Sequence, residues 1–247
     1  MRVRRLHSAV VILFLVCSVV FILSCSDKTL GQASPPAVMV LIPGGTFQMG
    51  CSPGDSECDG DEKPRHQVTV STFYMDVYEV TQADYQRAMG NNPSKFSGCS
   101  NCPVEKVSWN DAKTYCERVG KRLPTEAEWE CAARGGTTGV RYGSVDSVGW
   151  YFDNSDFKTH PVGQKQANAY GLYNMLGNVW EWTADWYGEK YYSSSPSRDP
   201  KGPSSGSYRV LRGGSWFSVA RDLRASSRYW YAPDVRYAPV GVRCFRD

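Results

Sequence analysis

An α+β fold is predicted from three features of this 247-residue sequence. Short stretches of alternating apolar residues read as strands, two or more segments carry helix-start signals, and long Gly-, Asn- and Ser-rich connections separate them. No heptad run or internal repeat accompanies them. With 41% hydrophobic and 13% aromatic residues, the chain has the apolar content of a globular domain with a sizeable core.

The first residues stand apart. Arg2, Arg4 and Arg5 precede an apolar run from Ala9 to Leu23. That run is short for a membrane span and suits a signal peptide. It ends Ile22-Leu23-Ser24-Cys25, which reads as a lipoprotein cleavage box. Residues 1–24 are therefore expected to be a signal, with Cys25 lipidated and residues 25–37 a tether. A plain secretory signal near a cysteine is the alternative. Removing residues 1–24 takes three of the 28 basic residues and none of the 25 acidic ones, leaving no net charge. That balance argues against a nucleic-acid partner. The expected location is the cell envelope, by lipid anchor alone, on the outer membrane and surface-exposed, as a monomer.

Residues 38–247 make the domain. Residues 38–49 predict two strands around the Pro43-Gly44-Gly45 turn, and residues 66–70 and 73–80 alternate as strands. Thr81 is placed to cap a helix over 82–89. Ser108 or Asn110 starts a second helix that runs to about Val119 and stops at Gly120. Thr125 and Glu128 have capping-box spacing for a third. Residues 135–170 read as loop, and residues 188–208 as a polar surface excursion before a strand at 209–212.

Export places the domain where disulfides persist. Cys51 and Cys58 flank an acidic loop. Cys99 and Cys102 form a C-x-x-C with no second pair or His pair beside it, so a loop staple is favoured over a redox or zinc site. Cys116, Cys131 and Cys244 remain.

Residues 171–186, GLYNMLGNVWEWTADW, hold Trp180, Trp182 and Trp186 with Asn174, Asn178, Glu181 and Asp185 among them. In a strand, Trp180 and Trp182 share one face and Val179 and Glu181 the other. Two readings stay open: a tryptophan core with polar turns, or a cation site built from oxygen ligands.

This stretch resembles the central motif of the sulfatase-modifying-factor family, the formylglycine-generating-enzyme-like domains. Further matches follow in order at MVLIPGGTFQMG (39–50), YEVT (78–81), PVEKVSW (103–109), RLPTEAEWE (122–130), RGGSW (212–216) and GVRC (241–244). The resemblance implies a C-type-lectin-like fold over residues 38–247. It also implies a structural calcium held by the side chains of Asn174 and Glu181 and the backbone carbonyls of Gly177 and Val179, and a Cys116–Cys244 bond that leaves Cys131 odd.

It further implies where catalysis would sit. Enzymes of the family bind copper through two cysteines, and the matching positions here are Ser218 and Leu223. Leucine cannot ligate a metal, and a serine hydroxyl is a poor copper(I) ligand. Iron-dependent relatives need a histidine cluster, whereas the domain has only His66 and His160. Ser215 has no base other than these two. No redox cofactor and no enzymatic activity are expected; an exported oxidoreductase or maturation factor with an altered site is the alternative.

Residues 217–240 contain no Lys, Glu, Gln or Met and alternate arginines with aromatics and small residues. This pattern resembles the variable region of diversity-generating-retroelement proteins, here about residues 212–247. The resemblance implies diversified positions Phe217, Ser218, Val219, Arg221, Asp222, Tyr229, Tyr231, Ala232, Asp234, Val235, Tyr237 and Ala238. Arg224, Arg228, Pro233, Arg236 and Gly241 match the fixed framework, and Trp230 is not reached from an Asn codon. Tyr, Ser and Asp give the rigid area and adaptable hydrogen bonds of an antibody paratope. The function implied is capture of a protein or glycan ligand.

Overall fold

A computed structural model describes residues 38–247; the expected signal, Cys25 and tether lie outside the described residues. Strands β1 (Met39–Ile42), β2 (Gly45–Met49), β3 (His66–Val70) and β4 (Phe73–Asp76) open the chain. Helices α1 (Gln82–Met89), α2 (Trp109–Arg118), α3 (Glu126–Arg134) and the short α4 (Val145–Val148) follow. Then come β5 (Trp180–Trp186), β6 (Arg209–Arg212), β7 (Arg228–Tyr231), β8 (Val240–Gly241) and β9 (Phe245–Arg246).

The expected caps form. Thr81 and Thr125 accept N–H groups from Asp84 and Glu128 at 3.1 and 3.2 Å, and the Thr125–Glu128 box is closed. Of the two candidates, Ser108 starts α2. Two expectations need correction. The strand expected over 73–80 ends at Asp76, because the Tyr173 and Val80 N–H groups engage the Val77 and Val242 carbonyls instead of a ladder. The excursion at 188–208 is not free: Tyr192 is buried, and Asp199 accepts the Ser71 N–H at 2.7 Å.

The sheets join the ends of the chain. β4 pairs with both β1 and β9, antiparallel. β2 and β3 form a hairpin-like pair. The third sheet runs β7-β6-β5-β8, with only β5 and β8 parallel among its pairs. Disulfides join Cys51–Cys58, Cys99–Cys102 and Cys116–Cys244, and Cys131 is free and buried. The last bond fastens α2 to the segment before β9 and closes a separation of 128 residues, worth about 4–5 kcal/mol in the chain-entropy treatment.

Strand periodicity sorts β5 as its sequence predicts. Trp180 and Trp182 pack with Leu211, Val240 and Val242 in one core. Glu181 turns the other way and accepts the Trp129 indole N–H at 2.7 Å. Trp129 belongs to the second core, with Phe73, Met75, Leu176 and Phe245. Trp129→Ala would remove both the indole's bulk and that bond, costing about 3–5 kcal/mol. Gly213 passes so close to Trp129 that a Cβ there would lie 3.1 Å from the ring, at φ 101°.

Candidate ligand-binding face

β7 is an edge strand, held on one side by β6 in the register Leu211↔Tyr229 and Arg209↔Tyr231. Tyr229 and Tyr231, two apart, therefore leave the same face, while Trp230 leaves the opposite one. The segment before β7 is shaped by short hydrogen bonds. Ser215 N–H donates to Ser218 Oγ at 3.1 Å, Phe217 N–H to Ser215 Oγ at 3.2 Å, and Trp216 N–H to the Asn178 carbonyl at 2.9 Å. This compact turn leaves Phe217 48% and Val219 51% exposed.

A concavity of about 200 Å³ results, lined by Trp180, Ser215, Phe217, Ser218, Asp222, Tyr229, Tyr231, Tyr237 and Pro239. Phe217, Ser218, Asp222, Tyr229, Tyr231 and Tyr237 are among the expected contact positions. Val219, Arg221 and Asp234 are exposed outside it, and Ala232, Val235 and Ala238 are half-buried beyond its wall. Ser218 is the one expected contact that is buried. Burial raises the Asp222 carboxyl above its ordinary range, opposed by Arg221.

Trp180, Ser215 and Pro239 complete the wall and were missed. The spacing of Trp180 reads as core, and its ring in fact also stacks on Tyr229 at 5.5 Å. Trp230 is exposed and meets Tyr208 and Tyr187 in tilted contacts at 4.4 and 5.4 Å.

Beneath this face, framework arginines serve as internal struts. Arg224 is buried and grips Glu62 with two bonds of 2.7 Å; Arg228 is buried and grips Glu126 at 2.7 and 2.9 Å. Arg212 pairs with Glu130, which also holds Arg134. The other framework positions also bear load. Arg236 pairs with Asp111 at 2.9 Å, and Pro233 accepts the Trp109 N–H at 3.0 Å. A Cβ on Gly241 would lie 2.6 Å from the Val104 carbonyl oxygen.

Leu223, expected from the resemblance to match the family's second copper-binding cysteine, sits among hydrocarbon side chains. Leu223 is fully buried in the core, and Cβ atoms added at Gly149 or Gly214 would lie 2.4 and 2.8 Å from it. No thiol lines the concavity. Ser215 has no histidine partner: its Oγ lies 3.3 Å from that of Ser218, while His160 Nε2 engages the Ser155 carbonyl and His66 Nδ1 the Pro64 carbonyl. Burial lowers the His160 pKa.

Of the expected calcium ligands, Glu181 and Asn174 have their side chains engaged by the protein itself. Both Glu181 oxygens accept from Arg243, and one also accepts from the Trp129 indole. Asn174 Oδ1 takes the Gly163 N–H at 2.9 Å, and its Nδ2 is buried without a partner. Calcium asks for six to eight oxygens. The one carboxylate of the set is already neutralised, so Arg243 supplies the positive charge a cation would bring. Glu79 lies next to it, accepting the Asn178 amide at 2.8 Å, its pKa pushed well up by burial.

The chain resembles several characterised proteins. It is 34% identical over 278 residues to the formylglycine-generating enzyme of Streptomyces coelicolor, covering 84% of this chain and 88% of that protein. It is 39% identical over 236 residues to the serine/threonine-protein kinase pkn1 of Chlamydia caviae, covering 83% of this chain; it spans only 37% of that protein's length. Among solved structures, Treponema denticola variable protein 1 superposes with a TM-score of 0.77 at 32% identity, covering 84% of this chain and 94% of the other. The α+β architecture is thus the C-type-lectin-like one expected from sequence. The sulfatase-modifying factor enzyme 1-like domain matches residues 27–247, and the chain belongs to that family.

Proposed function

We propose that this chain is a ligand-binding protein, exported and anchored by a lipid on Cys25, that captures a protein or glycan through a diversified C-terminal face. The observation that carries this reading is the division of the tail. All the positions expected to vary except Ser218 are exposed or half-buried, while framework Arg224 and Arg228 are buried in ion pairs. Side chains on such a face can change without touching the core. The likeness to Treponema denticola variable protein 1 supports the same reading.

The same reading places this chain outside the family's copper oxidases. Ser218 and Leu223 stand where two thiolates are required, and the leucine is packed on all sides by core atoms. A screen of the full-length chain against host and bacterial surface proteins and glycans tests the function. A ligand should be found whose binding is lost when Tyr229, Tyr231 and Tyr237 become alanine. Stoichiometric copper(I) uptake with oxidation of a peptide cysteine would instead establish the enzymatic alternative.

A further inference from the structure

The concavity has the chemistry of a cation cage. Tyr229 meets Tyr231 edge to face at 5.3 Å and 72°, and Tyr231 meets Tyr237 at 5.8 Å and 83°. Near-right-angle contacts turn the rings around a corner, so they enclose space where a parallel stack would fill it. Trp180 backs Tyr229. Asp222 adds a carboxylate, and its backbone N–H donates to the Val219 carbonyl at 3.0 Å. Its one ion-pair contact among the described residues is Arg221 Nε at 3.8 Å, and that guanidinium also reaches Asp59 at 3.2 Å. Among the described residues, no lysine or arginine lines the concavity.

Elsewhere the chain provides its own cations for its aromatic faces. Arg209 sits between Trp109 and Trp186, 3.8 and 3.4 Å from their centroids. Lys165 lies 3.8 Å from the centre of Trp150, and Arg228 lies 4.3 Å from that of Tyr192. Among the described residues no lysine or arginine stands over Trp180, Tyr229, Tyr231 or Tyr237. Aromatic rings and a carboxylate thus line a space whose wall holds no lysine or arginine among the described residues, and the one guanidinium near Asp222, that of Arg221, is shared with Asp59.

We infer that this concavity receives a lysine or arginine side chain presented by a partner protein, an inference that rests on the binding function above. A space of about 200 Å³ bordered by exposed Phe217, Tyr229 and Tyr237 suits the end of one flexible side chain. The charged head meets the rings and Asp222, and the aliphatic stem lies along Phe217 and Pro239. Each ring contact with the cation strengthens binding roughly two- to thirtyfold, depending on how dry the site becomes.

The test is calorimetric titration of the full-length chain in detergent with capped pentapeptides that differ only at a central lysine, arginine or norleucine. Tetramethylammonium chloride and a methyl glycoside are run beside them. The lysine and arginine peptides should bind saturably, and the norleucine peptide at least about tenfold more weakly. Tyr229→Ala with Tyr231→Ala should weaken the lysine peptide by roughly tenfold or more, and Asp222→Asn by roughly three- to tenfold. Equal binding of the norleucine peptide to the unmodified chain overturns the cation assignment, whatever the variants do. Binding of tetramethylammonium without either basic peptide overturns the side-chain source, and binding of the glycoside alone points to a sugar site. If no cation binds while the surface screen still yields a ligand lost in the triple tyrosine variant, this inference fails alone; if the screen is also empty, the binding function fails with it.

Discussion

Replacing Arg224 with methionine should destabilise the domain more than any substitution on the exposed face. The Arg224 side chain is fully buried and makes two bonds of 2.7 Å to Glu62 and one of 3.1 Å to Asp55. Methionine matches much of its length but none of its charge. Glu62, itself buried, would keep only the Asp59 N–H at 3.0 Å. Breaking a buried pair from one side costs about 3–5 kcal/mol, because the stranded charge has lost water and gained nothing. For a domain of this size that lowers the melting temperature by about 6–20 °C. The double variant R224M/E62M removes the Arg224–Glu62 pair and should recover part of the loss, since hydrophobic replacements of buried pairs are often neutral, while Asp55 stays without its guanidinium. Thermal melts followed by circular dichroism read all three proteins. If R224M melts within about 2 °C of the parent, or the double variant melts far below R224M, the strut reading is wrong.

Other consequences follow from the same burial arguments. Asp185 is buried, receives only the Glu126 N–H at 2.8 Å, and has its pKa raised well above the usual range by desolvation first and by Glu126 second. Its contribution to stability is therefore fully present below the unfolded carboxyl value, about 3.9, and is lost as pH rises through the folded value. Asp185→Asn should gain stability relative to the parent between pH 5 and pH 8 in urea melts; a relative loss over that range contradicts this. Burial first, then Glu130, pushes the Cys131 thiol up to about 12, so a thiol reagent should label it only after unfolding. Rapid labelling of the native protein would show that the site opens. Because Arg243 already neutralises Glu181, millimolar calcium or a chelator should move the melting temperature by no more than about 1 °C. A calcium-dependent rise of about 5 °C or more would mean that the ion displaces the guanidinium.

Local signals in the sequence marked out much of this architecture. The caps at Thr81, Ser108 and Thr125 follow from hydroxyl-to-amide bonds within three residues, and strand alternation around Trp182 put Glu181 on the correct face. Order along the chain carried no information about the ion-pair struts. Arg224 and Glu62 lie 162 residues apart, and only the folded chain shows that an arginine in a tyrosine-rich tail points inward. The same holds for Trp180, which spacing assigns to the core although it also backs the concavity. The early end of β4 at Asp76 and the docking of Tyr192 depend on distant partners in the same way.

The separation of frame from face has one direct measurement. Phe217→Ser, Val219→Asp, Tyr229→Ser and Tyr237→Ser combined change four exposed side chains, at a total cost of about 2 kcal/mol by the usual scale of surface substitutions. The melting temperature of that quadruple variant should lie above that of the single R224M variant. A quadruple variant that melts below R224M, or does not fold, would show that the face is part of the frame.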